Sequence, residues 1–314
     1  MGSRPIIKVI KLENPRTEFQ EFDHYNSKPF SSPSQKSSME LKKFLSIHIL
    51  CVLIFVGFLY YVTIFIFLDD LFSLQSSTGK FHSLFFTFVA SLCVFSFFVC
   101  VLKDPGGVPS SYLPDVEDHE ASDQESKRSG LLKKKCDKCS EYKPPRAHHC
   151  RICRRCILRM DHHCAWINNC VGHRNYKAFV TLIFYGTIAA IYSSVILVSN
   201  ALHKDWNFDG VTPLKLFYIA TGVVNIGLSV TLGTLLGWHI YLTIRNMTTI
   251  EYYEGKRAAW LASKSGLNYH HPYDVGAYKN ISLVLGPNML KWLCPTAVSH
   301  IKDGLSFPTS REYS

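Results

Sequence analysis

Four long stretches of this chain contain no Asp, Glu, Lys or Arg, and they constrain the fold more than any other feature. They cover residues 44–67, 84–102, 178–202 and 216–244. A helix needs roughly 20 apolar residues to cross a hydrocarbon core about 30 Å thick, so each stretch is long enough to span a bilayer. Charged residues make up only 18% of the chain, below the roughly 25% usual in soluble domains. The sequence therefore predicts an all-α integral membrane protein with four transmembrane helices, and it excludes an ordinary soluble enzyme.

Cations are distributed very unevenly between the segments that join these spans. Residues 1–43, 103–177 and 245–314 hold 8, 15 and 8 Lys and Arg, whereas the loops 68–83 and 203–215 hold only 1 and 2. Because Lys and Arg are retained on the cytoplasmic side during insertion, both termini and the middle segment are predicted to be cytosolic. The net charge of +10 is then a record of topology, and no nucleic-acid partner is expected.

The spans divide the chain into tails, hairpins and one central polar segment. We expect a cytosolic N-terminal tail, a transmembrane hairpin, a cytosolic linker with a Cys-rich core, a second hairpin and a cytosolic C-terminal tail. These domains cover residues 1–43, 44–102, 103–177 with the core at 134–177, 178–244 and 245–314. His48 and His239 fall near predicted cytosolic span ends and are expected at the membrane interface. The protein is expected in an endomembrane, with the Golgi favoured over the plasma membrane.

Seven of the eleven Cys residues lie between Cys136 and Cys170. Cytosolic thiols stay reduced, so a disulfide framework is not expected, whereas Cys-x-x-Cys pairs followed by His and further Cys are typical of zinc sites. Offsets of 3, 13 and 20 residues from the first ligand occur in two interleaved sets: Cys136, Cys139, His149 and Cys156, and Cys150, Cys153, His163 and Cys170. Full Cys₃His coordination leaves no open position for water, so two structural Zn²⁺ ions are predicted.

One thiol of the block, Cys164, is left without a metal. His162 precedes it by two residues, and Asp161 comes directly before His162. A nearby His can hold a Cys as thiolate, and an acidic residue can fix the imidazole tautomer and stabilise its cation. We therefore interpret Cys164 as a nucleophile, His162 as its base and Asp161 as the residue that orients the base. The alternative is a buried, unreactive thiol within a zinc-stabilised interaction module.

The run Asp161-His162-His163-Cys164 within this Cys-rich block closely resembles the DHHC protein S-acyltransferases, or palmitoyltransferases. The resemblance extends over residues 44 to about 290. The other matching motifs are Asp104-Pro105-Gly106 (DPG), Asn175-Tyr176, Thr248-Thr249-Ile250-Glu251 (TTxE) and the run from His271 to Asn280. Ala165 stands where Pro is common in the family, and His271 where Asn is more usual. The style of the motifs suggests a plant member.

The resemblance implies transfer of a long-chain acyl group, usually palmitoyl, from acyl-CoA through a thioester on Cys164. The acceptors would be cysteines of substrate proteins at the cytosolic membrane face, and the acyl chain would lie between the four helices. Thr248 or Thr249 is expected to bond Asp161. Candidate cations for the CoA phosphates are Lys133, Lys134, Lys135, Arg151, Arg154 and Arg155. The alternative function is a catalytically inactive, zinc-containing membrane adaptor.

Overall fold

The computed structural model describes residues 46–114, 135–204 and 212–310. The expected N-terminal tail, most of the linker, and Lys133 and Lys134 lie outside these ranges. Within them, four helices are long and apolar enough to cross a membrane: α1 (Ile47–Phe72), α2 (Ser77–Leu102), α3 (Tyr176–His203) and α4 (Pro213–Ile244). They confirm the predicted all-α fold with four candidate spans and indicate a multi-pass membrane protein.

These helices run beyond the charge-free stretches of the sequence. α2 begins at Ser77, whereas the span predicted from the sequence begins at residue 84. Its N-cap is Ser76, whose side chain accepts a hydrogen bond from the Gly79 N–H. Lys80 follows in the same turn, where a long side chain can extend toward the polar edge of a membrane. Counting uncharged residues therefore finds the span but places its start too late.

α3 lies at the centre of the helical bundle and packs against both α2 and α4. One apolar cluster joins three helices through Ile49 on α1, Phe97 on α2 and Ile183 on α3. Cys164, from the segment between α2 and α3, belongs to the same cluster. The candidate nucleophile is therefore packed directly on the apolar ends of the spans.

The Cys-rich segment between α2 and α3 is built on two short antiparallel hairpins. Their strands are β1 (His148–Cys150), β2 (Arg155–Ile157), β3 (His162–Cys164) and β4 (Asn169–Val171). The first hairpin aligns His149 with Cys156, and the second aligns His163 with Cys170. The repeat seen in the spacing of the sequence is thus also a repeat of structure.

Two helices follow the spans, α5 (Thr249–Lys264) and α6 (Ala277–Leu285), and a 3₁₀ turn covers Met289–Lys291. Thr248 caps α5: its side chain accepts a bond from the Glu251 N–H, and the Glu251 side chain accepts one from the Thr248 N–H. Thr248 and Glu251, the first and last residues of the TTxE run, therefore start this helix. α6 packs against α3 and α4, which brings the C-terminal region against the bundle.

Candidate functional site

The first candidate metal cluster contains Cys136, Cys139, His149 and Cys156, whose ligand atoms all lie within 4.8 Å of one another. His149 Nδ1 is 3.2 Å from Cys139 Sγ and 3.5 Å from Cys136 Sγ. The Sγ atoms of Cys139 and Cys156 are 3.9 Å apart. Tetrahedral zinc with Zn–S bonds of about 2.3 Å places sulfur atoms about 3.8 Å apart, so this cluster has the size and the donor set of a closed zinc site.

The second cluster contains Cys150, Cys153, His163 and Cys170, again within 4.8 Å. His163 Nδ1 lies 3.7 Å from Cys150 Sγ and 3.5 Å from both Cys153 Sγ and Cys170 Sγ. Three thiols and one imidazole around one point fit Zn²⁺ as well as the first set does. These two groups of four residues, found among the described residues, are the two sets that the spacing of Cys and His in the sequence predicts. Both groups could hold zinc.

Cys164 lies outside both clusters, although it directly follows His163 on β3. Across the β3–β4 hairpin it is paired with Asn169. The Asn169 side-chain amide donates to the carbonyl oxygens of Cys100 and Lys103, both at 3.0 Å. This amide satisfies carbonyls at the end of α2 that have no partner within the helix, and it fixes the Cys164 hairpin against that helix end.

Asp161 and His162 form a hydrogen bond of 2.8 Å between Oδ2 and Nδ1. A carboxylate only accepts hydrogen bonds, so Nδ1 carries the proton and Nε2 is left for another partner. Asp161 is almost fully buried, and it also accepts bonds from the Thr249 N–H at 2.8 Å and the Thr249 hydroxyl at 2.9 Å. The expected bond from the TTxE run to Asp161 is confirmed for Thr249, while Thr248 caps α5.

The electrostatics of this group favour a thiolate beside a protonated ring. Burial opposes ionisation of Cys164, but hydrogen bonds from the His162 ring and from the backbone of Ile167 and Trp166 lower its pKa. Burial also opposes a charged His162, yet hydrogen bonds with Asp161 and Cys164 raise its pKa to about 9. For Asp161 burial again opposes charge, and the bond from His162 holds the carboxyl pKa below its usual range.

A buried ion pair ties the Cys-rich segment to the start of α5. Arg146 Nε lies 2.6 Å from Glu251 Oε1, and its Nη2 donates to Oε2 at 2.8 Å and to the Asn246 carbonyl at 2.7 Å. The rings of Tyr273 and Phe307 lie 4.4 and 4.8 Å from the guanidinium carbon. Sequence reasoning missed this pair, because the only available signal was one Arg and one Glu in two separate motifs.

The DPG turn is bonded to the first hairpin. Asp104 Oδ1 accepts from the Gly106 N–H at 2.8 Å, and Oδ2 accepts from Arg155 at 2.7 Å. The Gly106 carbonyl accepts from the Leu158 N–H at 2.8 Å, and Gly106 has a φ of 99° that favours glycine. Arg155, a candidate for CoA phosphate, is thus already paired with Asp104. The other described candidates, Lys135, Arg151 and Arg154, are exposed.

His239, which is expected near the membrane interface, is buried within the protein. Only 2% of the residue is exposed. Its ring centroid is 6.2 Å from that of His162 and 5.1 Å from that of Phe179. The position of a residue near a span end predicts its depth in the membrane but not the helix face that its side chain occupies. The side chain of His239 lies on the face of α4 that is directed toward the site.

Comparison with known proteins agrees with this arrangement. Residues 131–256 match the family described as DHHC palmitoyltransferase. Probable protein S-acyltransferase 15 of Arabidopsis thaliana is 59% identical over 256 residues, which are 82% of this chain and 99% of the relative. Probable protein S-acyltransferase 16 of the same plant is 50% identical over 267 residues, 84% of this chain and 93% of the relative. Probable protein S-acyltransferase 13 is 35% identical over 293 residues, 86% and 92% of the two chains. By these matches, and by the motifs that the structure brings together, this chain belongs to the DHHC palmitoyltransferase family as a plant member.

Proposed function

We propose that this protein is an acyl-CoA-dependent protein S-acyltransferase that carries a long-chain acyl group, usually palmitoyl, as a thioester on Cys164. The observation that carries the proposal is the chain of hydrogen bonds from Thr249 to Asp161 to His162, beside a thiol that neither metal cluster uses. The names of the curated relatives support the reaction class. A non-enzymatic adaptor would need the zinc clusters but not this series of hydrogen bonds.

In the first half-reaction, the Cys164 thiolate attacks the carbonyl carbon of acyl-CoA while His162 holds the proton that the thiol has lost. The new C–S bond to Cys164 forms as the bond to the CoA sulfur breaks. CoA takes the proton from His162 and leaves as a thiol, so the enzyme is acylated and His162 is neutral. Asp161 keeps the proton on Nδ1, which directs Nε2 toward the reacting sulfur atoms.

In the second half-reaction, a cysteine of a substrate protein gives its proton to the neutral His162 and attacks the thioester. The acyl group moves to the substrate, and Cys164 leaves as thiolate beside the protonated ring, which restores the starting state. One thioester replaces another in each half, so the exchange is nearly isoenergetic and the enzyme mainly has to position its groups. Zn²⁺, when bound by the two Cys₃His sets, would supply rigidity and no reacting group.

We place the acyl chain between the ends of the helices that surround Cys164. Its apolar cluster contains Ile49, Phe97 and Ile183 from three different helices. Removing a sixteen-carbon chain from water at ~0.8 kcal/mol per CH₂ is worth roughly 10 kcal/mol, and less when the lipid bilayer competes for the chain. The protein partners of the reaction are then cytosolic-facing proteins with acceptor cysteines close to the membrane.

We further propose that both termini face the cytosol, because 31 of the 34 Lys and Arg lie in the segments assigned to that side. This topology puts the Cys-rich segment on the side where acyl-CoA and reduced thiols are found. The domain division given by the sequence and an endomembrane location, with the Golgi favoured over the plasma membrane, belong to the same proposal. The described spans of 26 to 32 residues are compatible with either membrane.

For the phosphates of CoA, we propose the half-buried Lys103 and the exposed Arg174 in place of the cations of the first hairpin, because both adjoin the hairpin that carries Cys164. The Lys103 carbonyl accepts a bond from Asn169, the residue paired with Cys164. The Arg174 N–H donates to the Pro105 carbonyl at 3.0 Å, which places both cations at the same loop. Burial and the charge of Arg174 hold the pKa of Lys103 below its ordinary value. Within the described residues neither cation forms an ion pair, so both are available to an anion.

Arg174→Ala should raise the KM for palmitoyl-CoA about tenfold, because a charge-assisted bond to phosphate is worth roughly 1.4 kcal/mol or more. Arg151→Ala is the matched control, since it removes an exposed cation of the first hairpin, and we expect an unchanged KM. Steady-state kinetics with palmitoyl-CoA compare the two. A larger effect of Arg151→Ala would return the phosphate site to the cations that the sequence first suggested.

Asp161→Asn should lower the rate of acyl-enzyme formation by roughly 10²- to 10⁴-fold, since the amide no longer fixes the proton on His162 Nδ1 or stabilises the charged ring. Zinc content should stay at the wild-type value. Asp137→Asn, at an exposed acid of the same segment, is the control and should keep full activity. Equal rates for Asp161→Asn and wild type would remove Asp161 from the mechanism.

The proposed function is tested with purified protein and labelled palmitoyl-CoA. We expect a label on the protein that neutral hydroxylamine releases, as it does from a thioester, and no such label on Cys164→Ser. Zinc content and thermal unfolding show that the variant is folded. Absence of the label on folded, zinc-loaded wild type would favour the adaptor instead.

A further inference from the structure

His239 occupies a place that the mechanism above does not use. It lies on α4, five residues before the helix ends at Ile244, and only 2% of it is exposed. A buried polar ring is costly unless it is hydrogen-bonded, and His239 Nδ1 shares a bond of 3.0 Å with the Tyr176 hydroxyl. Ionisable residues within membrane-spanning segments usually belong to functional sites, so we expect a functional role for His239.

Tyr176, the partner of His239, is itself held in place. It begins α3 and is buried. The Arg159 guanidinium carbon lies 5.1 Å from the centroid of the Tyr176 ring, and Arg159 also donates to the Asn246 side chain at 3.2 Å. The hydroxyl that meets His239 therefore projects from a ring fixed by the Cys-rich segment and by the end of α4.

Three rings form a triangle around the proposed base. The Phe179 centroid lies 5.1 Å from His162 and 5.1 Å from His239, and the two imidazoles are 6.2 Å apart. Phe179 meets both rings edge to face, at interplanar angles of 67° and 78°. The His162 ring is therefore packed against both Phe179 and His239.

The triangle supplies a constraint that the bond to Asp161 does not supply. That bond fixes one nitrogen of His162, but a ring held at a single atom can still tilt about it. Tilting would move Nε2 away from Cys164, and a displacement of 1 Å at a reacting group can cost as much as a hundredfold in rate.

We propose that His239 is a positioning residue for acyl transfer: anchored by Tyr176 and packed with Phe179, it holds the His162 ring in the orientation that directs Nε2 to Cys164. This inference rests on the proposed function, since it assigns a role within that reaction. His239 touches neither the thiol nor the acyl group in this account, and it takes no proton.

The test measures first-turnover acylation of Cys164 by palmitoyl-CoA in three single variants of the full-length protein and one double variant. His239→Leu should acylate about tenfold more slowly, with an unchanged KM for palmitoyl-CoA and full zinc content. His239→Asn, whose amide can still bond the Tyr176 hydroxyl, should restore most of the rate. Tyr176→Phe removes one oxygen atom and should show a loss similar to that of His239→Leu. The double variant Tyr176→Phe/His239→Leu should be no slower than His239→Leu, because both changes break the same link.

A wild-type acylation rate in His239→Leu would overturn the inference, and so would a loss that follows zinc content or that His239→Asn does not restore. If His239→Leu does not fold, Tyr176→Phe decides alone, and a wild-type rate in that variant also overturns the inference. Failure of the proposed function is distinguishable, because wild type itself would then form no acyl-enzyme.

Discussion

Chelation of zinc from the purified protein should abolish acyl-enzyme formation and open the Cys-rich segment to proteolysis. The strands of this segment are only three residues long, so they bury little surface that could hold them without metal. Structural Zn²⁺ contributes about 10–16 kcal/mol to folding in zinc-finger peptides at neutral pH. Because Cys164 and His162 lie on β3 next to His163, loss of the metal that His163 would bind should displace both reacting groups. Zinc content, acylation and limited proteolysis against chelator concentration measure the three effects together.

Single Cys variants separate the metal from general loss of thiols. Cys150→Ser should release one zinc per chain and lower acylation at least as much as Asp161→Asn. Cys294→Ser is the control, since Cys294 is exposed and belongs to neither cluster, and it should keep both metals and full activity. Full acylation by protein shown to be free of zinc would contradict the structural role given to the two metals, and unchanged zinc content in Cys150→Ser would contradict the assignment of its ligands.

Arg146→Met should destabilise the protein by about 3–5 kcal/mol, the usual cost of leaving one member of a buried ion pair without its partner. Only 1% of the Arg146 side chain and 9% of the Glu251 side chain are exposed. Burial opposes the charge on Glu251, and Arg146 is what holds its pKa below the usual range. Denaturant unfolding in detergent measures the loss. Acylation should fall as well, because Glu251 caps the helix whose first residue, Thr249, bonds Asp161.

Two further variants make this prediction sharp. Arg245→Met removes the cation of an ion pair with Asp274 whose arginine side chain is 54% exposed, and it should cost about 0–1 kcal/mol. Arg146→Met/Glu251→Gln should recover part of the loss of Arg146→Met, since the glutamine carries no charge and can still cap the helix. Equal losses in Arg146→Met and Arg245→Met would show that the buried pair does not fasten the Cys-rich segment to α5.

Local spacing in the sequence predicts those parts of this molecule that depend on residues close together in the chain. Offsets of 3, 13 and 20 grouped eight Cys and His residues into the same two sets that the structure brings together. The four long charge-free stretches predicted four membrane-spanning helices, and the structure has four helices of that length and composition among its described residues. Metal ligand sets and membrane spans both have strong short-range signatures, because coordination geometry limits the spacing of ligands and bilayer thickness sets the length of a span.

Contacts between distant segments are what the sequence could not show. Lys177 was counted among the cytosolic cations, yet it is buried and its ammonium donates to three backbone carbonyls, those of Leu285, Lys291 and Ala297. Arg146 and Glu251 are separated by more than a hundred residues. His239 was expected near a span end, and its packing beside the proposed base had no signal in the sequence. Each of these placements depends on how helices pack, which a single sequence does not state.

In the proposed mechanism, Cys164 carries the acyl group between donor and acceptor. The most direct measurement is peptide mass spectrometry of full-length protein quenched after mixing with palmitoyl-CoA and no protein substrate. We expect one palmitoyl group per chain, on the peptide that contains Cys164, and we expect neutral hydroxylamine to remove it. Palmitoyl found only on other cysteines, such as the exposed Cys51 or Cys294, with Cys164 unmodified throughout turnover, would contradict it.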